Sequence, residues 1–166
     1  MFDALFTTTT EYKKLRPALS GKGACALFGL PASGRAQVYA ALCRQLDKPL
    51  CIVTPGEAEA TRFAADLNTL GIPAAVFPAR DYVLRPIEGT AREYEYRRLA
   101  VLGELVGGRL RAVAVPAEAL TQFTTPKEDF CANTRTLHAG DTLLRDDLLA
   151  ALFGAGYTRR AQVDGP

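Results

Sequence analysis

Residues 29–37 read GLPASGRAQ, from Gly29 to Gln37, directly after the apolar run ACALF at residues 24–28. A strand, a loop of pattern G-x-x-x-x-G-K-[ST] and a helix together make a phosphate cradle. Backbone N–H groups hold the phosphates, Lys neutralises their charge, and the Ser/Thr hydroxyl holds Mg²⁺. Gly29 and Gly34 have the right spacing, but Arg35 stands for the Lys and Ala36 for the Ser/Thr. Ala36 has no oxygen to offer a metal. The planar fork of Arg35 does not replace a compact ammonium. The start of the helix keeps its partial positive charge, so weak anion binding survives in principle. Three readings therefore stand, in falling order of weight. They are an ordinary strand-to-helix turn, a vestigial phosphate loop formed by Gly29, Ser33, Gly34 and Arg35, and a working ATPase. The last is weakest because no acidic pair follows an apolar strand: the run at 110–115 leads into Pro116-Ala117-Glu118.

Outward from this loop, strand and helix signals alternate. Strands are expected at 24–28, 50–54, 74–77 and 110–115, with helices at 34–46, 57–70, 91–106 and 116–120. Val38, Ala41, Leu42 and Leu46 are spaced for one helix face, and Ala60, Phe63, Ala64 and Leu67 for another. Leu99, Leu102, Leu105 and Val106 make a third. Gly71 and Gly107-Gly108 supply helix stops. Short, near-continuous apolar strands between helices indicate an α/β fold, a parallel sheet flanked by helices. The loop at 29–36 would lie at the carboxyl end of a strand, where such sheets bind ligands. The first twenty residues read as a leading amphipathic segment with no catalytic signal.

Composition shifts after Phe123. The polar stretch Thr124-Thr125-Pro126-Lys127-Glu128-Asp129 places a boundary there, giving domains of 1–123 and 124–166. The second reads as a truncated small α+β unit, with a strand at 134–138, a turn at 139–141 and a helix at 143–153. Leu144, Leu148, Ala151 and Leu152 would face inward. Some forty residues with one helix make a poor independent core, so the chain is expected to stop inside this domain.

The bulk numbers exclude several classes. With 166 residues, 48% hydrophobic and 23% charged, the chain is of ordinary globular composition. A net charge of +2 gives no electrostatic case for nucleic acid. No signal peptide and no apolar stretch near 18 residues is visible, which points to a cytoplasmic protein with no membrane partner. Cys25, Cys43, Cys51 and Cys131 include no C-x-x-C pair, and His138 is the sole histidine. No metal is expected from so few ligands. Cys25 and Cys51, inside apolar runs, read as buried thiols. Cys131 with His138 has the chemistry of a nucleophile and its base, but no other site signal accompanies the pair. Arg92, Glu93, Glu95, Arg97 and Arg98 read first as a solvated, internally paired helix face and second as an interdomain contact.

In order and spacing, these pieces resemble the N-terminal, UvrB-like region of bacterial transcription-repair coupling factors, the Mfd family. The resemblance is carried by GLPASGRAQVYAAL, LCIVTPGEAEATRFAADL, FPARDYVLRPIEGTAREYEYRRLAVLGEL, RAVAVPAEALTQFTTP and LHAGDTLLRDDLLAALFGAGYTRRAQVDGP, which together span most of 21–166. Residues 80–86 depart from the family's W-E-x-L-P-Y-D wording. The likeness implies a P-loop/RecA-like first domain like domain 1 of UvrB, then the beginning of a UvrA-interaction domain. It also implies a protein-interaction platform that recruits UvrA to a stalled RNA polymerase in nucleotide excision repair. On that reading the fragment has no catalytic residues, no cofactor and no ATP hydrolysis. RNA polymerase and DNA would be met only through other domains, which make the whole protein an ATP-dependent DNA translocase. Tyr157, Arg159, Arg160 and Gln162 lead toward the family's UvrA-binding surface, and Arg and Tyr are favoured interface anchors. UvrB itself is the nearest alternative. It carries an intact loop and a long aromatic hairpin after the third strand, for which residues 78–90 leave too little chain. A small P-loop nucleotide-binding protein with an atypical loop is the other. Both UvrA binding and loss of ATPase come from the resemblance, not from spacing.

Overall fold

The computed structural model describes residues 7–20, 24–80 and 93–160. Two compact units are present, Met1–Phe123 and Thr124–Pro166.

The first unit is built from α1 (Thr10–Ser20), α2 (Ala32–Gln45), β1 (Leu50–Thr54), α3 (Glu57–Thr69), β2 (Ala74–Val76), α4 (Glu93–Val106), β3 (Ala112–Pro116) and α5 (Ala117–Leu120). The three strands form one parallel sheet in the order β1-β3-β2. β3 is buried along its whole length, which suits its all-apolar AVAVP sequence in the centre of a parallel sheet. Registers of Ile52 with Ala114 and of Val76 with Ala114 bring small and branched side chains onto one face.

That face meets α2 and α3. Ala36, Ala40 and Cys43 of α2 and Ala60, Phe63, Ala64 and Leu67 of α3 pack with Ile52, Ala112 and Ala114. Alanines here let the helix backbones lie close to the sheet, and the larger Phe63 tilts against Tyr39 with ring centroids 5.5 Å apart. The opposite face of the sheet carries Val113 and Val115 against Phe77, Val101 and Ala119. A third cluster joins α1 to the far side of α2: Tyr12 and Leu15 pack on Val38, Ala41 and Leu42. α2 is therefore apolar on two sides, which explains why its sequence shows a broad stripe.

Chain ends between elements are closed by side chains. Asn68 Nδ2 donates to the carbonyls of Ala64 and Ala74, and its Oδ1 accepts from Ala74 N–H at 3.1 Å, so the end of α3 fixes the start of β2. Gly71 takes φ +75° in the turn between them, a conformation that other L-residues rarely adopt. Arg111 donates to the carbonyls of Cys43 and Leu46 at the C-terminus of α2, satisfying groups that no helical N–H can reach.

Several expectations need correcting. Residues 24–28 carry no regular structure and are all exposed, Phe28 at 87%. An apolar run becomes a strand only if an edge is within hydrogen-bonding reach, and among the described residues none pairs with it. On α4 the inward stripe is Arg98, Val101, Leu102 and Leu105, while Leu99 and Val106 stay about half exposed. Cys25 and Cys51 are exposed, and Cys43 is the buried cysteine.

The second unit contains α6 (Lys127–Asn133) and α7 (Arg145–Gly154). Residues 134–138 form no strand, and α6 was not expected. Neither helix buries a residue, and Leu144 and Leu152 point outward instead of inward.

Candidate functional site

The loop that decides the sequence reading is wound tightly. Gly29 takes φ +80°, and α2 begins at Ala32 after Pro31, two residues before the expected start. The N–H groups of Gly34 and Arg35 both donate to the carbonyl of Pro31, at 3.0 and 3.1 Å. Those donors close the first helical turn and do not point into an open nest. A Cβ on Gly34 would stand 3.3 Å from the Pro31 ring, so this glycine serves close packing within the loop. Ser33 is exposed.

Arg35 and Ala36 turn in different directions. The Arg35 guanidinium lies 3.6 Å from Glu59 Oε1 in the first turn of α3, an ion pair between two partly exposed side chains. Its charge is thus shared with a carboxylate as well as with the loop. Ala36 is only 3% exposed and sits in the core between α2, α3 and the sheet. In this loop the position of the Mg²⁺-holding hydroxyl faces apolar side chains.

Beside the loop lies a cavity of about 750 Å³ lined by α1, α2, β1 and residues 25–30. Its walls are mostly apolar, with Leu15, Val38, Leu42 and Ile52 among them and Arg35 contributing the charge. Cys51 opens on this cavity, and burial against its walls pushes the thiol pKa up.

A second polar cluster, unforeseen in the sequence, sits past the ends of β2 and α5. Arg98 is 4% exposed, and its guanidinium carbon lies 4.1 Å from the centroid of the Phe77 ring. Its Nη1 donates to the Pro78 carbonyl at 2.8 Å and to Gln122 Oε1 at 3.1 Å. Gln122 in turn holds Arg80 through both backbone groups, accepting from its N–H at 2.7 Å and donating to its carbonyl at 3.0 Å. Desolvation, with a smaller push from Arg80, lowers the Arg98 pKa from its usual value. This corrects the solvated-face reading for Arg98. The signal that could have found it is its place three and four residues before Val101 and Leu102 on one helical stripe. Arg92 lies outside the described residues.

Of the partner-contact candidates, Tyr157, Arg159 and Arg160 are exposed, Tyr157 at 66%, after the turn that ends α7. The N–H of Tyr157 donates to the Leu152 carbonyl at 3.0 Å, which fixes the direction in which the chain leaves the helix. Gln162 lies outside the described residues. The His138 ring stands 3.6 Å from Asp141, whose carboxylate also accepts from the His138 N–H, and Cys131 is exposed. Among the described residues no three metal-ligating side chains cluster, and no helix is long and apolar enough to cross a membrane.

No protein-family model and no solved structure matches the chain. A search of curated proteins finds similarity to the transcription-repair-coupling factor of Bacillus subtilis (strain 168), 26% identical over 142 residues. The match covers 84% of this chain and 12% of that protein, so the chain spans about an eighth of its relative's length. With a parallel sheet flanked by helices, the chain is similar along most of its length to one segment of the transcription-repair-coupling factor.

Proposed function

We propose that the chain is the N-terminal, UvrB-like module of a transcription-repair coupling factor, an interaction platform that recruits UvrA in nucleotide excision repair. The observation that carries the reading is the similarity over 84% of the chain. The loop geometry supports a non-catalytic role. Two loop N–H groups are engaged by Pro31, Arg35 pairs with Glu59, and Ala36 is in the core. A phosphate cradle needs those donors free and that cation turned to the ligand. The fragment accordingly needs no cofactor, and translocation on DNA and contact with RNA polymerase belong to other domains of a longer cytoplasmic protein.

UvrA would meet the second unit, where Tyr157, Arg159 and Arg160 stand exposed, as do Leu144, Leu152 and Phe153. Aromatic and arginine side chains are enriched at interfaces, and the first three would supply the edge of one whose centre lies in other parts of the factor. The alternative, a small nucleotide-binding protein with an atypical loop, requires Mg²⁺-dependent nucleotide binding. Surface plasmon resonance of the intact factor against UvrA, paired with ATP calorimetry on the 166-residue chain, separates the two. UvrA binding without nucleotide binding supports the platform; micromolar, Mg²⁺-dependent ATP binding supports the enzyme.

A further inference from the structure

We draw no further inference here: the strongest candidate, the exposed apolar patch of Tyr96, Leu99 and Val106 along one side of α4, is an uncovered helix face, and nothing in the structure shows what covers it.

Discussion

Arg98 donates from Nη1 to Gln122 Oε1 at 3.1 Å, joining α4 to the residue that follows α5. The same Gln122 holds Arg80 by both backbone groups, and Arg98 also holds the Pro78 carbonyl. The segment leaving β2, the helix α4 and the last residues of the first unit are thereby tied to one another. A charged side chain is kept nearly buried because its donors are engaged and its plane lies over Phe77.

Arg98→Met keeps the stem but leaves the Pro78 carbonyl and Gln122 without this donor. Loss of buried hydrogen bonds to a charged group should cost about 2–3 kcal/mol. Gln122→Leu removes the Arg80 pairing and should cost about 1–2 kcal/mol, with the double variant less destabilised than the sum. Urea unfolding of the four proteins measures this. Strict additivity would show that the residues do not act as one cluster.

Thiol reactivity follows burial. Cys25, Cys51 and Cys131 should be alkylated in the native protein, while Cys43, buried and with its Sγ 3.4 Å from the Arg111 carbonyl, should react only on unfolding. Desolvation raises the Cys43 pKa in spite of Arg111 and Arg44, which reduces its thiolate further. Cys51 has a raised pKa too, so less of it is thiolate at neutral pH. Its rate should go on climbing with pH after that of an ordinary thiol has levelled off. Mass spectrometry of timed iodoacetamide reactions gives both results; early modification of Cys43 would contradict the packing of α2 on the sheet.

How much of this was legible depended on how local each signal is. The stripe Ala60, Phe63, Ala64 and Leu67 became the buried face of α3 because helical spacing alone fixes which side chains share a face. The strands expected at 50–54, 74–77 and 110–115 are found at 50–54, 74–76 and 112–116, because short apolar runs bounded by turn residues are themselves a local signal. Residues 24–28 have strand composition, but pairing is decided by what lies beside them, and composition does not carry that. The Arg35–Glu59 pair joins two helices 24 residues apart in sequence, and Arg98 reads as solvated until Val101, Leu102 and Leu105 are placed on its face. At the candidate site, glycine spacing announced a strand-to-helix turn. Among the described residues no strand precedes it, and the N–H groups of Gly34 and Arg35 are taken up in the first turn of α2.

Restoring the residue types of the loop should not restore the function. In the double variant Arg35→Lys, Ala36→Ser the new hydroxyl enters the core beside Ala40 and Ala60, at a cost of about 1–3 kcal/mol. The Gly34 and Arg35 N–H donors remain closed on Pro31. Calorimetry with ATP and Mg²⁺ should show no binding tighter than about millimolar, for this variant or the parent. Micromolar binding by the variant would mean that the loop opens readily and that only its side chains had been lost.

Limited proteolysis should cut first at residues 124–126, which carry no regular structure between the two units, and next in the exposed second unit. The product covering the first unit should persist. A resistant fragment running through Tyr157 would show that α6 and α7 are protected by contacts beyond their own unit.

The central claim, that this chain is the UvrA-recruiting module of a coupling factor, is tested most directly by surface plasmon resonance against immobilised UvrA. The proteins compared are the 166-residue chain, the intact coupling factor, and the intact factor carrying Tyr157→Ala, Arg159→Ala and Arg160→Ala. A standard interface needs about 800 Å² per partner around a central group of anchors, and Tyr157, Arg159 and Arg160 supply only its edge. The account predicts measurable binding by the intact factor, weakened by at least about tenfold when the three anchors are replaced there. It predicts weak or no binding by the 166 residues alone. An intact factor that fails to bind UvrA, or one that binds equally well without those side chains, would contradict it.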